Sequence, residues 1–233
     1  MAAVNQKPNI VFITGTDTGV GKTVLTGMLL HELRQQGVHA LALKPFCSGD
    51  TSDVQILRTL QDNELKIKEV NPYYFPDPVA PIASRRPLQF TRREVLKHIR
   101  TVAVRCELLL VEGCGGVMVP LAPRFTILDL VAELNCSVIV VAANKLGVMN
   151  HTLLTVAALQ SRGVANDSIS VVLMEQKQHD ASASSNEGIL KKWLRPIPLF
   201  AVPYLGGNAG DPEVLKENAA TTEALAKKIP DWR

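Results

Sequence analysis

The chain has 233 residues, of which 46% are hydrophobic and 20% charged, with a formal net charge of +3. This is enough apolar material for a sizeable core, and one domain over 1–233 is the expectation. The mild basic excess has no dense Lys/Arg block, which argues against a nucleic-acid surface and suits anionic small molecules.

The first apolar run, Ile10 to Ile13, reads as a strand. It feeds Thr14-Gly15-Thr16-Asp17-Thr18-Gly19-Val20-Gly21-Lys22-Thr23, a small polar loop. An amphipathic run follows, with Val24, Leu25, Met28, Leu29, Leu30 and Leu33 on one helical face. The usual phosphate-loop pattern is G-x-x-x-x-G-K-[ST]; here Thr16 holds the first glycine position and Gly15 comes one residue earlier. The strand–loop–helix context still predicts a phosphate cradle. Loop and helix-start N–H groups face one anion, Lys22 adds a full charge, and the Thr23 hydroxyl suits a nucleotide-held magnesium ion.

Val38 to Leu43 predicts a second buried strand, and Gly37 ends the helix before it. The strand delivers Lys44-Pro45-Phe46-Cys47-Ser48-Gly49-Asp50. Proline stops the ladder there, so Lys44 is expected to point beyond the strand end, where open α/β sheets hold ligands. Ser52 reads as a helix cap with Asp53 in the first turn. Asp53 either complements the helix dipole or ligates magnesium; its position leaves both open. Residues 61–90, with Tyr73, Tyr74, Phe75 and several prolines, read as an ordered loop. Thr91 to Val104 reads as a helix with a Thr91/Glu94 capping box.

Leu108 to Val111 is a third apolar strand, ending in Glu112-Gly113-Cys114-Gly115-Gly116. A carboxylate at the tip of such a strand is a Walker-B type arrangement for magnesium, and the glycines admit close approach of a ligand. Thr126 to Leu134 reads as a helix and Ser137 to Ala143 as a fourth buried strand. Asn144-Lys145-Leu146-Gly147-Val148-Met149-Asn150 then leads to a helix expected from about Thr152 to Arg162, with Asn150 as its cap. That helix start is able to hold a carboxylate. Ile169 to Leu173 is a fifth strand, residues 176–187 read as a mobile polar loop, and a helix is expected around Ile189 to Leu194. A short strand, Leu199 to Val202, precedes Pro203-Tyr204-Leu205, and a last helix is expected from about Thr221 to Ile229.

The alternation of apolar strands with helices predicts an α/β fold: a P-loop NTPase-like, doubly wound, mainly parallel sheet flanked by helices. Its strand ends would gather Lys22, Thr23, Lys44, Asp53 and Glu112 on one edge. Two cations, two carboxylates and a hydroxyl around a phosphate cradle suit phosphoryl transfer. The four cysteines, Cys47, Cys106, Cys114 and Cys136, show neither zinc spacing nor a C-x-x-C pair and read as free thiols. Cys114 lacks a companion base and reads as a packing residue. Met1 to Pro8 has no apolar signal core and no run approaches a membrane span, so a cytoplasmic protein without membrane or nucleic-acid partners is expected. Arg85-Arg86 and Arg92-Arg93 read as solvated pairs.

The ordered series Gly15 to Thr23, Lys44-Pro45 with Ser48-Gly49, Asn71-Pro72-Tyr73 with Pro78 and Pro81, Val111 to Gly116, and Lys145 to His151 resembles the dethiobiotin synthetase family. The resemblance implies an ATP- and Mg²⁺-dependent ring closure. The partners would be 7,8-diaminononanoate, carbon dioxide or bicarbonate, and ATP, with the enzyme acting as a homodimer. It implies that Lys22 and the amides of Gly19, Val20, Gly21, Thr23 and Val24 hold the phosphates, with Thr18 beside the reacting groups. Thr23, Asp53 and Glu112 would surround magnesium; Lys44 and Ser48 would hold a carbamate, near Gly115 and Gly116. Leu146, Gly147, Val148, Met149 and Asn150 of one subunit would receive the carboxylate tail of substrate bound mainly to the other. Pro203, Tyr204 and Leu205 would line the base. Two positions depart from the family pattern. Gly19 replaces an acidic residue that some members carry, and Met174, followed by Glu175, stands where an adenine-reading Asn is common. Methionine offers no donor–acceptor pair, so broader base selection is expected.

Other classes share the loop and the sheet. A partition or MinD-like nucleotide-switch ATPase, or a metal-insertion GTPase, usually has an extra early lysine where Thr16 and Asp17 stand here. A corrin amide ligase needs a glutaminase domain for which this chain has no room. The segment Lys44 to Ser48 argues against these and against a non-catalytic paralogue, because it suits an anionic acceptor opposite the γ-phosphate.

Overall fold

The computed structural model describes residues 9–85 and 90–229. Met1 to Pro8, and Arg86 of the Arg85–Arg86 pair, lie outside them. In chain order, β1 (Ile10–Gly15) leads to α1 (Lys22–Gln35), β2 (Ala40–Leu43), β3 (Phe46–Ser48), α2 (Ser52–Leu60), α3 (Ile67–Val70) and β4 (Tyr73–Phe75). Next come α4 (Arg92–Ala103), β5 (Leu108–Gly116), β6 (Pro120–Ala122), β7 (Phe125–Thr126), α5 (Ile127–Leu134) and β8 (Ser137–Ala143). The chain ends with α6 (Val148–Ser161), β9 (Ile169–Met174), α7 (Ala183–Trp193), β10 (Leu199–Val202), α8 (Pro212–Asn218) and α9 (Glu223–Lys228).

Among these residues one six-stranded sheet has the order β10-β9-β8-β1-β5-β2. All its pairings are parallel. Strand alternation explains why the strands are apolar throughout. In β1, Phe12 enters the core layer that contains Val95, Ile99, Leu130 and Leu190, from α4, α5 and α7. Val11 and Ile13 enter the opposite layer, with Leu25, Met28 and Leu29 of α1 and Leu215 of α8. The order reverses direction at β1, between β8 and β5, which puts the loop after β1 at the switch point where such sheets bind ligands.

The edge strand β2 has no strand neighbour beyond it in this sheet. The buried Gln61 side chain serves instead: its Oε1 accepts from Ala42 N at 2.9 Å and its Nε2 donates to Ala42 O at 3.1 Å. Just beyond, Lys44 N donates to Val70 O at 3.0 Å, and Asn71 Nδ2 donates to Lys44 O at 2.8 Å. The end of β2, and with it Lys44, is therefore fixed on both sides.

Several boundaries differ from expectation. Ser52 is the first residue of α2, not its cap; the Asp50 carboxylate accepts from Ser52 N at 3.1 Å instead. Helix α6 begins at Val148, not near Thr152, because Gly147 at φ 92° takes the capping position and leaves Asn150 in the first turn. Helix α7 begins at Ala183, so residues 183–187 of the expected mobile loop are helical; Ala183 and Asn186 are buried. Helix α8 lies where no helix was expected; its Asp211 side chain accepts from Glu213 N ahead of Pro212. β5 runs on through Glu112 to Gly116 rather than stopping at Val111. The Tyr73–Phe75 stretch is a strand paired with β3, and Tyr73 stacks on Phe46 with centroids 5.2 Å apart.

Gln61→Leu tests the edge clamp. It leaves the Ala42 N–H and C=O buried without partners and is expected to destabilise the protein by about 2 kcal/mol in urea unfolding. An unchanged midpoint would show that the amide contributes nothing to the edge.

Candidate active site

The loop after β1 is held against its neighbour by Thr16 N donating to Val141 O at 2.9 Å. Gly21 sits at φ 97°, where other residues are strained, and an added Cβ would lie 3.2 Å from Met174 Cε. Gly15, the residue displaced from the usual motif, is needed for space: a Cβ there would lie 2.7 Å from Asp17 O and 3.0 Å from Lys22 Nζ. Lys22 opens α1 and is buried, with Nζ donating to Asp17 O at 2.9 Å. Burial lowers its pKa, and the Glu112 carboxylate opposes that shift.

Glu112 is the centre of the site. It lies on β5 opposite Ile13 of β1 and is fully buried. Its Oε1 accepts from Thr23 Oγ1 at 2.7 Å and from Lys44 Nζ at 2.7 Å. Its Oε2 has no hydrogen-bond partner among the described residues. Lys44 Nζ also donates to Asp53 of α2. The expected cluster of Lys22, Thr23, Lys44, Asp53 and Glu112 is thus present around one cavity of about 510 Å³. Thr18, Gly19, Gly21, Val24, Ser48 and Gly115 also line it. Burial would lower the Lys44 pKa, but Glu112 and Asp53 outweigh it and raise the value well above that of an ordinary lysine.

The β3–β4 pair builds the cavity wall. Gly49 N donates to Phe75 O at 2.9 Å and Tyr74 Oη donates to Gly49 O at 2.9 Å. This holds the 78–81 turn, from Pro78 to Pro81, along one side, with Phe46, Cys47 and Val119 completing the lining. Of these, Pro78 and Pro81 stood out in the sequence; Val119 carried no signal, since only the β5–β6 turn brings it in. Burial pushes the Cys114 thiol up to about 11, and Cys47 likewise to about 11, so both are protonated at neutral pH and fit packing roles.

Five groups of expected site residues lie outside the cavity lining, one of them Val20, whose side chain is buried in the core. Leu146, Gly147, Val148, Met149 and Asn150 form the entrance and first turn of α6 and are absent from the cavity lining. Met174, at the end of β9, is buried beneath Gly21. Pro203, Tyr204 and Leu205 follow β10, whose Val202 pairs with Met174. Gly116 lies below the loop: a Cβ on it would come 3.1 Å from Gly15 O.

A parallel sheet with a glycine loop at its switch point, and a lysine and threonine opening the next helix, defines a P-loop nucleotide-binding protein. A family model described as an AAA domain matches residues 9–206. The ParA family ATPase from Chlorobium tepidum TLS has a similar fold, with a TM-score of 0.53 at 16% identity, over 97% of this chain and 98% of that one. The signal recognition particle receptor FtsY from Elizabethkingia anophelis gives a TM-score of 0.56 at 11% identity, over 92% and 66% of the two chains. These two likenesses concern the fold alone. Sequence relatives are more specific. The ATP-dependent dethiobiotin synthetase BioD of Anaeromyxobacter sp. (strain K) is 35% identical over 225 residues, covering 94% of this chain and 98% of the relative. That of Bacillus subtilis (strain 168) is 32% identical over 213 residues, covering 88% and 89%. The chain belongs to the dethiobiotin synthetase family of ATP-dependent ligases. Among the described residues, no helix is long and apolar enough to cross a membrane.

Removing Lys44 leaves the buried Glu112 without its cation. Lys44→Leu is expected to cost about 3 kcal/mol at pH 7 by urea unfolding. The raised Lys44 pKa stabilises the fold fully below the unfolded value of 10.5 and is lost as pH rises through the higher folded value. The gap between wild type and variant is therefore expected to narrow above about pH 10.5. A gap that stays constant to the alkaline limit would contradict the assignment.

Proposed function

We propose that the chain acts as one domain in the ATP- and Mg²⁺-dependent carboxylation and ring closure of 7,8-diaminononanoate to dethiobiotin. Carbon dioxide adds to one amine, which loses a proton and becomes a carbamate. A carbamate oxygen attacks the γ-phosphorus of ATP; ADP leaves and a carbamic–phosphoric anhydride forms. The second amine attacks the carbamoyl carbon, loses a proton, and displaces phosphate as the cyclic urea closes.

The observation that carries this reading is Lys44, a second buried cation lining the same cavity as the phosphate-loop residues Lys22 and Thr23. An anionic carbamate approaching an anionic γ-phosphate needs such a charge between them. Lys22, with the amides of Gly19, Val20, Gly21, Thr23 and Val24, takes the phosphates in this reading. Thr18, Ser48 and Gly115, which line the cavity, border the carbamate in this reading, and Gly116 backs the loop behind them. Thr23, Asp53 and Glu112 would hold magnesium. Two carboxylates and a hydroxyl match its preference for oxygen, and the buried, unpartnered Glu112 Oε2 supports the fit. When bound, magnesium neutralises charge on the phosphates.

The reading includes a homodimer in which Leu146 to Asn150 of one subunit receive the carboxylate tail at the other subunit's cavity. Two facts support it: the segment does not line its own chain's cavity, and Leu146 and Leu154 are 77% and 62% exposed. It also includes relaxed base selection. Met174 meets the underside of Gly21 with apolar atoms and has no side-chain donor or strong acceptor to offer a base.

The test is an assay for the cyclic urea by mass spectrometry, with diamine, bicarbonate, Mg²⁺ and each of ATP, GTP, CTP and UTP. Lys44→Gln keeps a donor near Glu112 but removes the charge, and is expected to lower kcat about 10²–10³-fold. Product from several nucleotides within about tenfold in kcat/KM supports the relaxed base site. Strict use of ATP refutes that part; nucleotide hydrolysis without urea refutes the whole.

Subunit mixing tests the shared site. Lys44→Gln spoils the cavity, whereas Asn150→Asp sets a negative charge against the incoming tail. Each variant alone is expected to be nearly inactive at limiting diamine. An equal mixture, re-equilibrated, is expected to recover about a quarter of the wild-type rate, because half the dimers carry one intact site. No recovery would place both residues in one subunit's site.

A further inference from the structure

We infer that Asp180, with Glu175 and Asn186, forms a clamp that positions the Lys145–Gly147 turn, and so sets the affinity for the substrate's carboxylate end. The inference rests on the tail-binding role proposed above for residues 146–150 and names residues that this role requires.

The turn between β8 and α6 is held by side chains from the exit of β9 and the start of α7. Asn144 is the first residue after β8 and is buried. Its backbone N donates to Met174 O at 2.8 Å. Its Nδ2 donates to Glu175 Oε1 at 2.8 Å and to Ala183 O at 3.1 Å. Its Oδ1 accepts from Asn186 Nδ2 at 2.8 Å, and Asn186, also buried, donates to Ser182 Oγ at 3.1 Å. The Asn144 amide thereby meets three partners from a different part of the chain.

Two residues on, Leu146 N donates to Asp180 Oδ2 at 2.7 Å. The other oxygen of Asp180 accepts from Ser182 N at 2.8 Å and from Ser182 Oγ at 2.6 Å. Those bonds hold its pKa below the usual carboxylate value, so it is an anion at neutral pH. The turn is pinned at both ends while Gly147, at φ 92°, gives it no stiffness of its own. Lys145 O accepts from Val148 N and Gly147 O accepts from His151 N, which leaves the Met149 and Asn150 amides at the helix start for an incoming carboxylate. The direction of those amides follows from the turn, and the turn follows from Asp180 and Asn144. A carboxylate receptor made of backbone has no side chain to readjust, so its precision is inherited from whatever fixes the backbone.

These are positioning residues. They touch the turn and not the proposed cavity, which none of them lines. The two oxygens of Asp180 also divide the work: one fixes the turn and the other fixes the α7 start that delivers Asn186. Loss of Asp180 therefore loosens both anchors at once. Glu175 follows Met174, the last residue of β9, and so ties the turn to the strand end that packs beneath Gly21.

The experiment compares Asp180→Ala with wild type on two substrates: the diaminononanoate and a vicinal diamine of the same length without the carboxylate. Asp180 is exposed, so the variant is expected to fold. The expected result is a KM about tenfold higher for the carboxylate-bearing diamine, with kcat and the KM for ATP within about twofold. The KM for the tailless diamine is expected to stay unchanged. Asp180→Asn, which keeps an acceptor for one of the two N–H groups, is expected to fall between. Glu175→Gln, which keeps the acceptor for Asn144, is expected to bind the tail like wild type, whereas Glu175→Ala behaves like Asp180→Ala. Hydrogen exchange supplies a readout that needs no substrate: faster exchange confined to residues 145–150 and the start of α7 in Asp180→Ala. An equal KM rise for both diamines, a rise for ATP instead, or unchanged diamine KM and exchange overturns the clamp. Wild-type protein that forms no cyclic urea at all overturns the synthetase reading itself, which is a separate result.

Discussion

The structure depends on a carboxylate in an expensive place. Glu112 stands on a central strand of the sheet with no exposure to solvent, where an unpaired charge would cost several kcal/mol. It is tolerated because Lys44 comes from the neighbouring strand β2 and Thr23 from the first turn of α1. Each of these partners requires its own element in register. β2 must end at Leu43 so that Lys44 leaves the ladder, and α1 must begin at Lys22 so that Thr23 faces β5. The placement of one acidic group thus fixes the relative positions of two strands and a helix.

That requirement explains the effort spent on the end of β2. It is an edge strand, and edges slip or fray. Gln61 pairs with both polar groups of Ala42, and Asn71 holds the Lys44 carbonyl, so a two-sided bracket replaces the missing strand. A buried ion pair is weak evidence for stability, but removing one partner is costly, so these elements must stay arranged to keep it paired. Here the bracket keeps the lysine where the pair needs it.

The frame of the molecule was legible in the sequence because buried parallel strands have a simple signature. Ser137 to Ala143 is apolar at every position after its first residue, and both faces of β8 are covered. The P-loop was legible despite Thr16, since the Gly15 deviation leaves the strand, the G-K-T and the helix face intact. The cluster around Glu112 followed from the rule that strand ends converge. What stayed illegible depended on conformation or on long-range partners. The start of α6 was misplaced because Asn150 is a good capping residue in general, whereas a glycine with positive φ caps without any side-chain signature. Residues 183–187 looked like a loop because Ser and Asn favour turns, but burial of Ala183 and Asn186 against Asn144 overrides propensity. Gln61 and Val119 matter only through contacts made across the fold, and no local pattern marks them.

The two buried lysines also say how an anion would enter this site. Neither ammonium waits in solvent: Lys22 is bonded to the loop carbonyl of Asp17, and Lys44 to Asp53 and Glu112. Their desolvation is already met within the folded protein, so an arriving phosphate or carbamate exchanges one acceptor for another. Exchange of partners costs less than stripping water from an exposed cation. The two differ in how firmly they are held. A neutral carbonyl is a weaker acceptor than a pair of carboxylates, so Lys22 yields more readily than Lys44. Asp53 and Glu112, the acceptors of Lys44, are also the carboxylates that would hold a metal ion in the proposed reading. In that reading they would hold magnesium, which would supply charge neutralisation, while Lys44 would face the anionic acceptor.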